Sequence, residues 1–270
     1  MRSGLRFVCA AAFLGAGLLG AAEKKDTLTP EEIKGAVVID EVALPTPGEF
    51  FAAINKLDRP NWPQLMRKPG TLTTTNRAQT SLNLGTRVAD GFIAVEAQDG
   101  QQVKNIGQDI IELAKGLGVS KSILGRGSSI GDFAENNDWN ALKEELDATE
   151  NEVKLQMAQQ KDDELVILVT TGAWLRGLQT ASGVVAANYK PETAQLLRQP
   201  AIVEYLIMRM DALPARIKSN ELVGKVKSGL TEIKTTVAPA TPPSADAVKA
   251  LNQTTTKLVD AIGGQPAAGQ

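Results

Sequence analysis

The chain has 270 residues, with 29 lysines and arginines against 31 aspartates and glutamates, so its charge gives no reason to expect a nucleic acid or an anionic membrane as a partner. It contains no histidine and a single cysteine, which excludes Ser-His-Asp and Cys-His catalysis, histidine-ligated zinc and histidine-ligated haem. Only 4% of the residues are aromatic, so the core must be mainly aliphatic.

Residues 1–22 have the three parts of a secretory signal peptide. Arg2 and Arg6 supply the positive start, an apolar stretch follows, and Gly20-Ala21-Ala22 provides a small-residue cleavage site. Cleavage would also remove Cys9, which leaves no thiol for catalysis, metal binding or a disulfide. We therefore expect a secreted or periplasmic protein that is stabilised by its core alone.

Two helix starts open the remaining chain. Thr29-Pro30-Glu31-Glu32 and Thr46-Pro47-Gly48-Glu49 each place threonine at the N-cap, proline at the first helical position and glutamate three residues after the cap. Between them, residues 36–44 form either an extended connector or a short strand. Prolines then interrupt residues 60–70 repeatedly, which predicts a long loop held down by apolar side chains.

Residues 78–99 carry the first of two helical patterns that are apolar around most of their circumference. At about 100° per residue, apolar and small side chains cover a much wider arc than the stripe of an ordinary amphipathic helix. The narrow polar side consists of Asn83, Thr86, Arg87 and Asp90. Glu96 is the exception, because the same projection places it inside the apolar arc.

Two long helices and one short helix are predicted around a glycine-rich segment. The first has apolar residues alternately three and four positions apart, at Val103, Ile106, Ile110, Leu113 and Leu117. Residues 120–124 predict a short helix, and the glycines of residues 125–131 predict a turn after it. Asp138 then serves as the N-cap of a long, highly charged amphipathic helix.

Gly127-Ser128-Ser129-Ile130-Gly131 matches the nucleophile-elbow pattern of serine hydrolases. That mechanism needs a strand before the serine and a base that accepts its proton. Residues 121–126 do not resemble a core strand, histidine is absent, and no serine after the signal peptide stands three residues before a lysine. We therefore predict a turn or a helix connection here, without a nucleophile.

Residues 165–187 form the least polar stretch after the signal peptide, and Arg176 is the only charge in it. The uncharged run before Arg176 is shorter than the roughly 18–20 residues that a membrane span needs, so no transmembrane segment is expected after signal cleavage. We predict a central helix over residues 163–188. Glycines on both central helices would permit close helix approach, namely Gly85, Gly91, Gly172, Gly177 and Gly183.

The C-terminal part is predicted as shorter helices followed by a separate segment. Residues 237–243 form a proline-rich linker, residues 244–262 a helix capped by Ser244, and residues 263–270 a disordered tail. Residues 23–236 would then be one helical domain. The pattern leaves open whether the last helix docks on that domain.

These elements predict an all-α protein, a multi-helix bundle around the two central helices of residues 78–99 and 163–188. The alternative is an α/β fold with short strands at residues 36–44 and 165–171, because both segments are rich in β-branched side chains.

Charged residues on the apolar helices are the best candidates for a site. Arg176 needs a carboxylate partner if it is buried, and Glu96 is the first choice and Asp90 the second. Such a pair would either fix the register of two core helices or anchor a ligand. The other acids are expected to lie on solvated helix faces and not to take part in catalysis. They include Asp99, Asp109, Glu112, Glu144 and Glu145.

Three segments resemble an uncharacterised family of signal-peptide-bearing, all-helical bacterial proteins. They are residues 89–99 (ADGFIAVEAQD), Asp138-Trp139 and Gly172-Ala173-Trp174-Leu175-Arg176-Gly177, and the resemblance spans about residues 50–213. It implies export and a helical fold. It implies no activity, so no functional residue follows from it.

We expect a non-catalytic binding or scaffold protein of the cell envelope, without a metal or a cofactor, whose partner is another protein or a small ligand. A carboxylate-dependent hydrolase or hard-metal enzyme is the alternative, and it would require several of the acids to face one pocket. A carrier of an apolar or anionic small ligand, anchored by Arg176, is the third possibility.

Overall fold

The computed structural model describes residues 45–57, 60–68, 72 and 76–264, and these are all-α. The predicted signal peptide, the first predicted helix start and the segment 36–44 lie outside the described residues, as do residues 265–270 of the predicted tail. The α-helices are α1 (Pro47–Ile54), α2 (Trp62–Leu65), α3 (Arg77–Glu96), α4 (Gly100–Leu117), α5 (Ser120–Glu135), α6 (Trp139–Gln159), α7 (Asp163–Ala187), α8 (Pro191–Ala194), α9 (Pro200–Asp211), α10 (Ala215–Lys218), α11 (Glu221–Val237) and α12 (Ala245–Ile262).

Helices α3 and α7 form the centre of the bundle, as the two wide apolar arcs predict, and they share the largest interface. Residues 165–171 belong to α7, so the strand alternative is not supported there. The β-branched threonines fit the helix because their hydroxyls donate to carbonyl groups one turn earlier. Thr171 Oγ1, for example, lies 2.7 Å from the carbonyl oxygen of Ile167.

The crossing of α3 and α7 depends on two glycines. A Cβ added to Gly85 would lie 2.7 Å from the backbone nitrogen of Ala173, and one added to Gly172 would lie 2.9 Å from the carbonyl carbon of Leu82. No side chain fits at either position, because the obstacle is the backbone of the other helix. The two backbones therefore touch directly.

The other three glycines that we expected at this crossing serve different interfaces. Gly91 faces the side chain of Leu146 on α6, Gly177 faces the ring of Phe50 on α1, and Gly183 lies beside Asn252 on α12. Each of them admits a side chain from a neighbouring element rather than the other central helix.

Helices α4, α5 and α6 form an antiparallel layer beside the centre. The predicted turn at residues 125–131 is wrong, because α5 is continuous from Ser120 to Glu135. Two glycines explain the stability of this helix, since Gly107 receives the side chain of Ile130 and Gly127 receives that of Ile111. Tertiary packing on α4 thus overrides the low helix propensity of the glycine-rich sequence.

Helix α1 begins at the predicted cap, where Thr46 and Glu49 form a complete capping box. Its Phe51 is buried and stacks on Phe92 of α3, with ring centroids 5.7 Å apart. The short α2 is held by Trp62, whose indole N–H donates to Asn55 Oδ1 at 3.1 Å. The loop between α1 and α3 is therefore anchored by aromatic side chains.

The C-terminal helix α12 packs along α7, which settles the question that the sequence left open. Asn252 Nδ2 donates to the carbonyl oxygen of Gln179 at 2.8 Å and to Ser182 Oγ at 3.2 Å, and Gln179 Nε2 donates to Thr256 Oγ1. The segment before α12 is also tied down, because Tyr189 Oη donates to the carbonyl oxygen of Pro243. None of the helices in the described ranges has the length and apolar character that crossing a bilayer requires.

Candidate functional site

A single carboxylate, Asp90 of α3, lies at the centre of a buried charge cluster. Arg176 Nε donates to Asp90 Oδ1 at 2.7 Å, and Arg67 Nε donates to Asp90 Oδ2 at 2.8 Å. The Nη1 of Arg87, one turn earlier on α3, lies 3.3 Å from the same Oδ2. The side chains of Asp90 and Arg176 are only 6% and 3% exposed, so the cluster belongs to the core.

Each nitrogen of the Arg176 guanidinium donates at least one hydrogen bond. Besides its bond to Asp90, Nη1 donates to Gln179 Oε1 at 2.9 Å and to Thr180 Oγ1 at 3.2 Å. Nη2 donates to the carbonyl oxygen of Leu65 at 2.6 Å. The acceptors belong to α3, to the short α2 and to α7 itself, so this buried guanidinium joins three elements of the bundle through an ion pair and hydrogen bonds.

Arg67 connects this cluster to the C-terminal helix. Its Nη2 donates to Thr86 Oγ1 at 2.9 Å, and its Nη1 donates to the carbonyl oxygen of Val259 on α12 at 3.4 Å. One side chain from the loop after α2 therefore contacts both α3 and α12. The polar side of α3 is covered by these contacts, which explains why Asn83, Thr86 and Arg87 are buried.

The arginine charges and burial together determine the pKa of the two carboxylates that contact Arg87, namely Asp90 and Asp109. Burial by itself raises the pKa of Asp90, but the charges of Arg67, Arg176 and Arg87 outweigh it, so the pKa lies below its ordinary value. Asp109 of α4, whose Oδ2 is 3.4 Å from Arg87 Nε, shows the opposite balance. Burial raises the pKa of Asp109, and Arg87 only partly offsets it. The cluster therefore favours the charged form of Asp90, whereas burial disfavours the charged form of Asp109.

The prediction that Glu96 is the partner of Arg176 is wrong, and the second choice, Asp90, takes that place. Glu96 Oε1 lies 2.6 Å from Lys143 Nζ of α6. The reason is position along the helix, because Glu96 is the last residue of α3 and lies more than a turn beyond Asp90. At that level the neighbouring charge comes from α6 rather than from α7.

The remaining acids are dispersed over separate structural roles. Asp99 Oδ1 caps α4 by accepting from the backbone nitrogen of Gln102 at 3.0 Å, and Glu112 pairs with Lys115 on the same helix. Glu145 pairs with Arg126, and Glu144 is exposed. No group of three acidic, cysteine or histidine side chains among the described residues could hold a metal ion.

Ser129, the centre of the elbow pattern, lies inside α5. Its hydroxyl donates to the carbonyl oxygen of Gly125 one turn earlier, at 3.5 Å. A serine with this geometry is an ordinary helical residue. The described structure thus gives the pattern no strand and no base.

Asp147 of α6 contacts the start of α1 from a distant part of the sequence. Its Oδ1 accepts from the backbone nitrogen of Gly48 at 3.1 Å, and its Oδ2 accepts from Thr46 Oγ1 at 3.3 Å. Burial, together with the charges of Glu150 and Glu49, raises the pKa of Asp147 to about 6 in spite of these bonds. This carboxylate therefore titrates near neutral pH.

The raised pKa of Asp147 predicts that the free energy of unfolding falls as pH rises. The folded protein holds the Asp147 proton more tightly than the unfolded chain, so its contribution is complete below pH 3.8 and is lost as pH passes through about 6. Because histidine is absent, few other groups titrate between pH 5 and 7.5. With solvent screening taken into account, we expect Asp147→Asn to remove about 1 kcal/mol of the decline between pH 5 and pH 7.5.

Urea unfolding at pH 5 and at pH 7.5 measures this effect. Glu144→Gln, at an exposed position of the same helix, is the matched control and should leave the decline intact. Part of the decline should also survive in Asp147→Asn, because the pKa of Asp109 is raised as well. Equal pH dependence in the wild type and Asp147→Asn would contradict the prediction.

A cleft of about 220 Å³ lies between the C-terminal end of α7 and the segment that carries α2. The α7 side consists of the last turn of the helix and its C-cap residue, at Gly183, Val184, Val185, Ala187 and Asn188. The opposite wall consists of Leu57, Pro60, Asn61, Gln64 and Leu65. Thr193 of α8 completes the described lining.

None of the described residues that line the cleft is charged. Its walls are mainly aliphatic, and the polar groups are the amides of Asn61, Gln64 and Asn188 and the Thr193 hydroxyl. Leu65 separates the cleft from the charge cluster, because its side chain lines the cleft while its carbonyl oxygen accepts from Arg176. The charge cluster thus holds one wall of the cleft without contributing a charge to it.

Sequence reasoning missed Arg67, Arg87 and the cleft. Arg67 lies in a proline-broken loop, where no periodicity indicates which way its side chain points. Arg87 was identified as part of the polar side of α3, but nothing in the pattern indicated that α12 and the loop would bury that side.

Searches of protein-family models, of curated proteins and of solved structures find no match to this chain.

Proposed function

We propose that the protein acts by binding a small ligand and catalyses no reaction, as an exported helical module of the cell envelope. The observation that carries the proposal is the cleft between α7 and the α2 segment, whose described walls are mainly aliphatic. Clefts with mainly apolar walls and a few polar groups are the usual form of small-molecule sites. Export rests on the signal-peptide pattern of residues 1–22.

The distribution of charges supports binding over catalysis. Acid–base or metal-assisted hydrolysis needs two or more carboxylates around one reacting centre. Among the described residues, Asp90 and Asp109 share Arg87 as a partner, Glu96 pairs with Lys143, and Asp99 caps α4. None of these four acids lines the cleft. The cleft offers apolar contact and hydrogen bonds, which suffice for holding a ligand.

Native mass spectrometry of the protein purified from its own compartment tests this function. We expect a mass excess that corresponds to one small organic molecule and that disappears after extraction with an organic solvent. Metal analysis of the same sample provides the comparison. A stoichiometric divalent metal would favour the carboxylate enzyme, a co-purified chain would favour a scaffold, and a clean monomer would contradict the proposal.

A further inference from the structure

We propose that the outer face of α5 binds the same face of a second copy of this chain, as an antiparallel helix pair related by a twofold axis. The face is formed by five exposed residues, Lys121, Leu124, Gly125, Ser128 and Asp132. At about 100° per residue, they lie within roughly 100° of arc on one side of the helix. None of them lines the cleft, so the inference does not rest on the proposed ligand-binding function.

The outer side of α5 has a large apolar side chain next to a position without a side chain. The helix packs mainly on α4 and α6, and Leu124 is 51% exposed. A Cβ added to Gly125 would have no described atom within 4 Å, whereas one added to Gly127 would meet Ile111. Packing among the described residues therefore accounts for Gly127 but not for Gly125, which lowers helix propensity without admitting a neighbour. A protruding leucine beside a small surface can pack against a copy of itself.

The two ends of this face carry opposite charges. The ion pairs of α5 with other described residues are those of Arg126 and Glu135, and Lys121 and Asp132 take no part in them. Asp132 follows Lys121 by eleven residues, which is about 16 Å along the helix axis. The two side chains are therefore too far apart to pair with each other.

The spacing of these residues is symmetric about one point of the helix. Lys121 precedes Gly125 by four residues, and Asp132 follows Ser128 by four residues. A twofold axis that passes between Gly125 and Ser128 therefore places Lys121 of each copy opposite Asp132 of the other. The same axis places Leu124 of each copy over the small residues of the other. Both charges are then paired, and the two helix dipoles run in opposite directions.

This self-complementarity favours a second copy over an unrelated partner. A partner surface of one charge would be attracted at one end of the face and repelled at the other. The order of charges that the face requires is the order that α5 itself presents when it is turned antiparallel. A single pair of 16-residue helices buries less than a standard interface of about 1,600 Å². We therefore expect a reversible dimer with a dissociation constant on the order of 10–100 µM.

Sedimentation velocity of the protein purified from its own compartment measures this association. The concentrations should run from about tenfold below to about tenfold above the expected dissociation constant. We expect a rise from the monomer to the dimer, and a weaker dimer at high salt because surface charges are screened.

A pair of charge reversals tests the twofold arrangement. Lys121→Asp and Asp132→Lys each turn both attractive contacts into repulsive ones, so each should weaken self-association by about tenfold or more. In an equimolar mixture, the acids of the first variant lie opposite the lysines of the second at both ends. A mixed dimer should therefore form about tenfold more tightly than either variant associates with itself. The variant that carries both changes should associate like the wild type.

Controls elsewhere on the surface separate this face from a general effect of charge or of apolar exposure. Lys249→Asp and Asp246→Lys make the same changes at exposed positions of α12 and should leave association unchanged, alone and mixed. Leu124→Glu should weaken the dimer by about tenfold or more. Met208→Glu, at a side chain of α9 that is 53% exposed, should not.

Three outcomes would overturn the inference. A wild type that stays monomeric over the whole range has no such dimer, and a dimer that neither the α5 variants nor their mixture alters uses another face. If Leu124→Glu lowers the free energy of unfolding of the dilute protein and Met208→Glu does not, residues of the same chain outside the described ranges cover the face. Ligand binding is measured separately by the mass excess, so failure of the dimer leaves the proposed function intact.

Discussion

Replacing Gly172 with alanine is expected to lower the free energy of unfolding by about 3 kcal/mol or more. The added Cβ would lie 2.9 Å from the carbonyl carbon of Leu82 and 3.2 Å from its Cα, and these atoms belong to the backbone of α3. A flexible side chain could rotate away, but the backbone of a buried helix can relieve the overlap only by moving the whole crossing. The higher helix propensity of alanine, about 1 kcal/mol, offsets only part of this cost.

Gly131→Ala is the matched control, because Gly131 is also helical and has no atom within 4 Å of an added Cβ. We expect it to stabilise the protein by about 0.5–1 kcal/mol through helix propensity. Urea unfolding followed by far-ultraviolet circular dichroism measures both variants. If Gly172→Ala behaved like Gly131→Ala, α3 and α7 could not be in backbone contact.

Asp90→Asn is expected to cost about 3–5 kcal/mol, because it leaves buried guanidinium groups without their shared carboxylate. Arg67 and Arg176 both pair with Asp90, whereas Arg87 retains Asp109. The pKa of Asp90 is lowered, so its contribution is present above pH 3.8 and is lost as pH falls through the folded pKa. The difference between Asp90→Asn and the wild type should therefore shrink in acid.

Arg176→Met should cost less than Asp90→Asn, because the remaining carboxylate still has Arg67 and Arg87. The double variant should cost less than the sum of the two single variants, since each removes the other's partner. Asp132→Asn, at an exposed position of α5, should change stability by no more than about 0.5 kcal/mol. An additive double variant would show that Arg176 and Asp90 are not coupled.

Much of the fold could be predicted because its elements are specified locally. The predicted central helices of residues 78–99 and 163–188 correspond to α3 and α7 within three residues at each end. The capping box at Thr46 and the cap at Ser244 are also where the pattern placed them. The prediction of a turn at residues 125–131 was wrong. Helix propensity describes single residues, and it does not include the close packing of α4 and α5 that Gly107 and Gly127 permit.

The candidate site was only partly predictable. An isolated charge in an apolar stretch requires a partner wherever it is buried, so the sequence indicated that Arg176 would be paired. The choice between Glu96 and Asp90 depended on which residues lie level with Arg176 when the helices cross. That level is set by the backbone contacts of Gly85 with α7 and of Gly172 with α3, which are a property of the two helices together.

The sequence by itself determined the all-α class, the two central helices and the absence of histidine chemistry. These follow from periodicity and composition, which act over neighbouring residues or over the whole chain. Only the tertiary structure decided that Arg67 and α12 cover the polar side of α3, and that α7 and the α2 segment enclose a cleft whose described walls are mainly aliphatic. Both features join residues far apart in the chain, and the approach of such residues is fixed by packing and not by any local pattern.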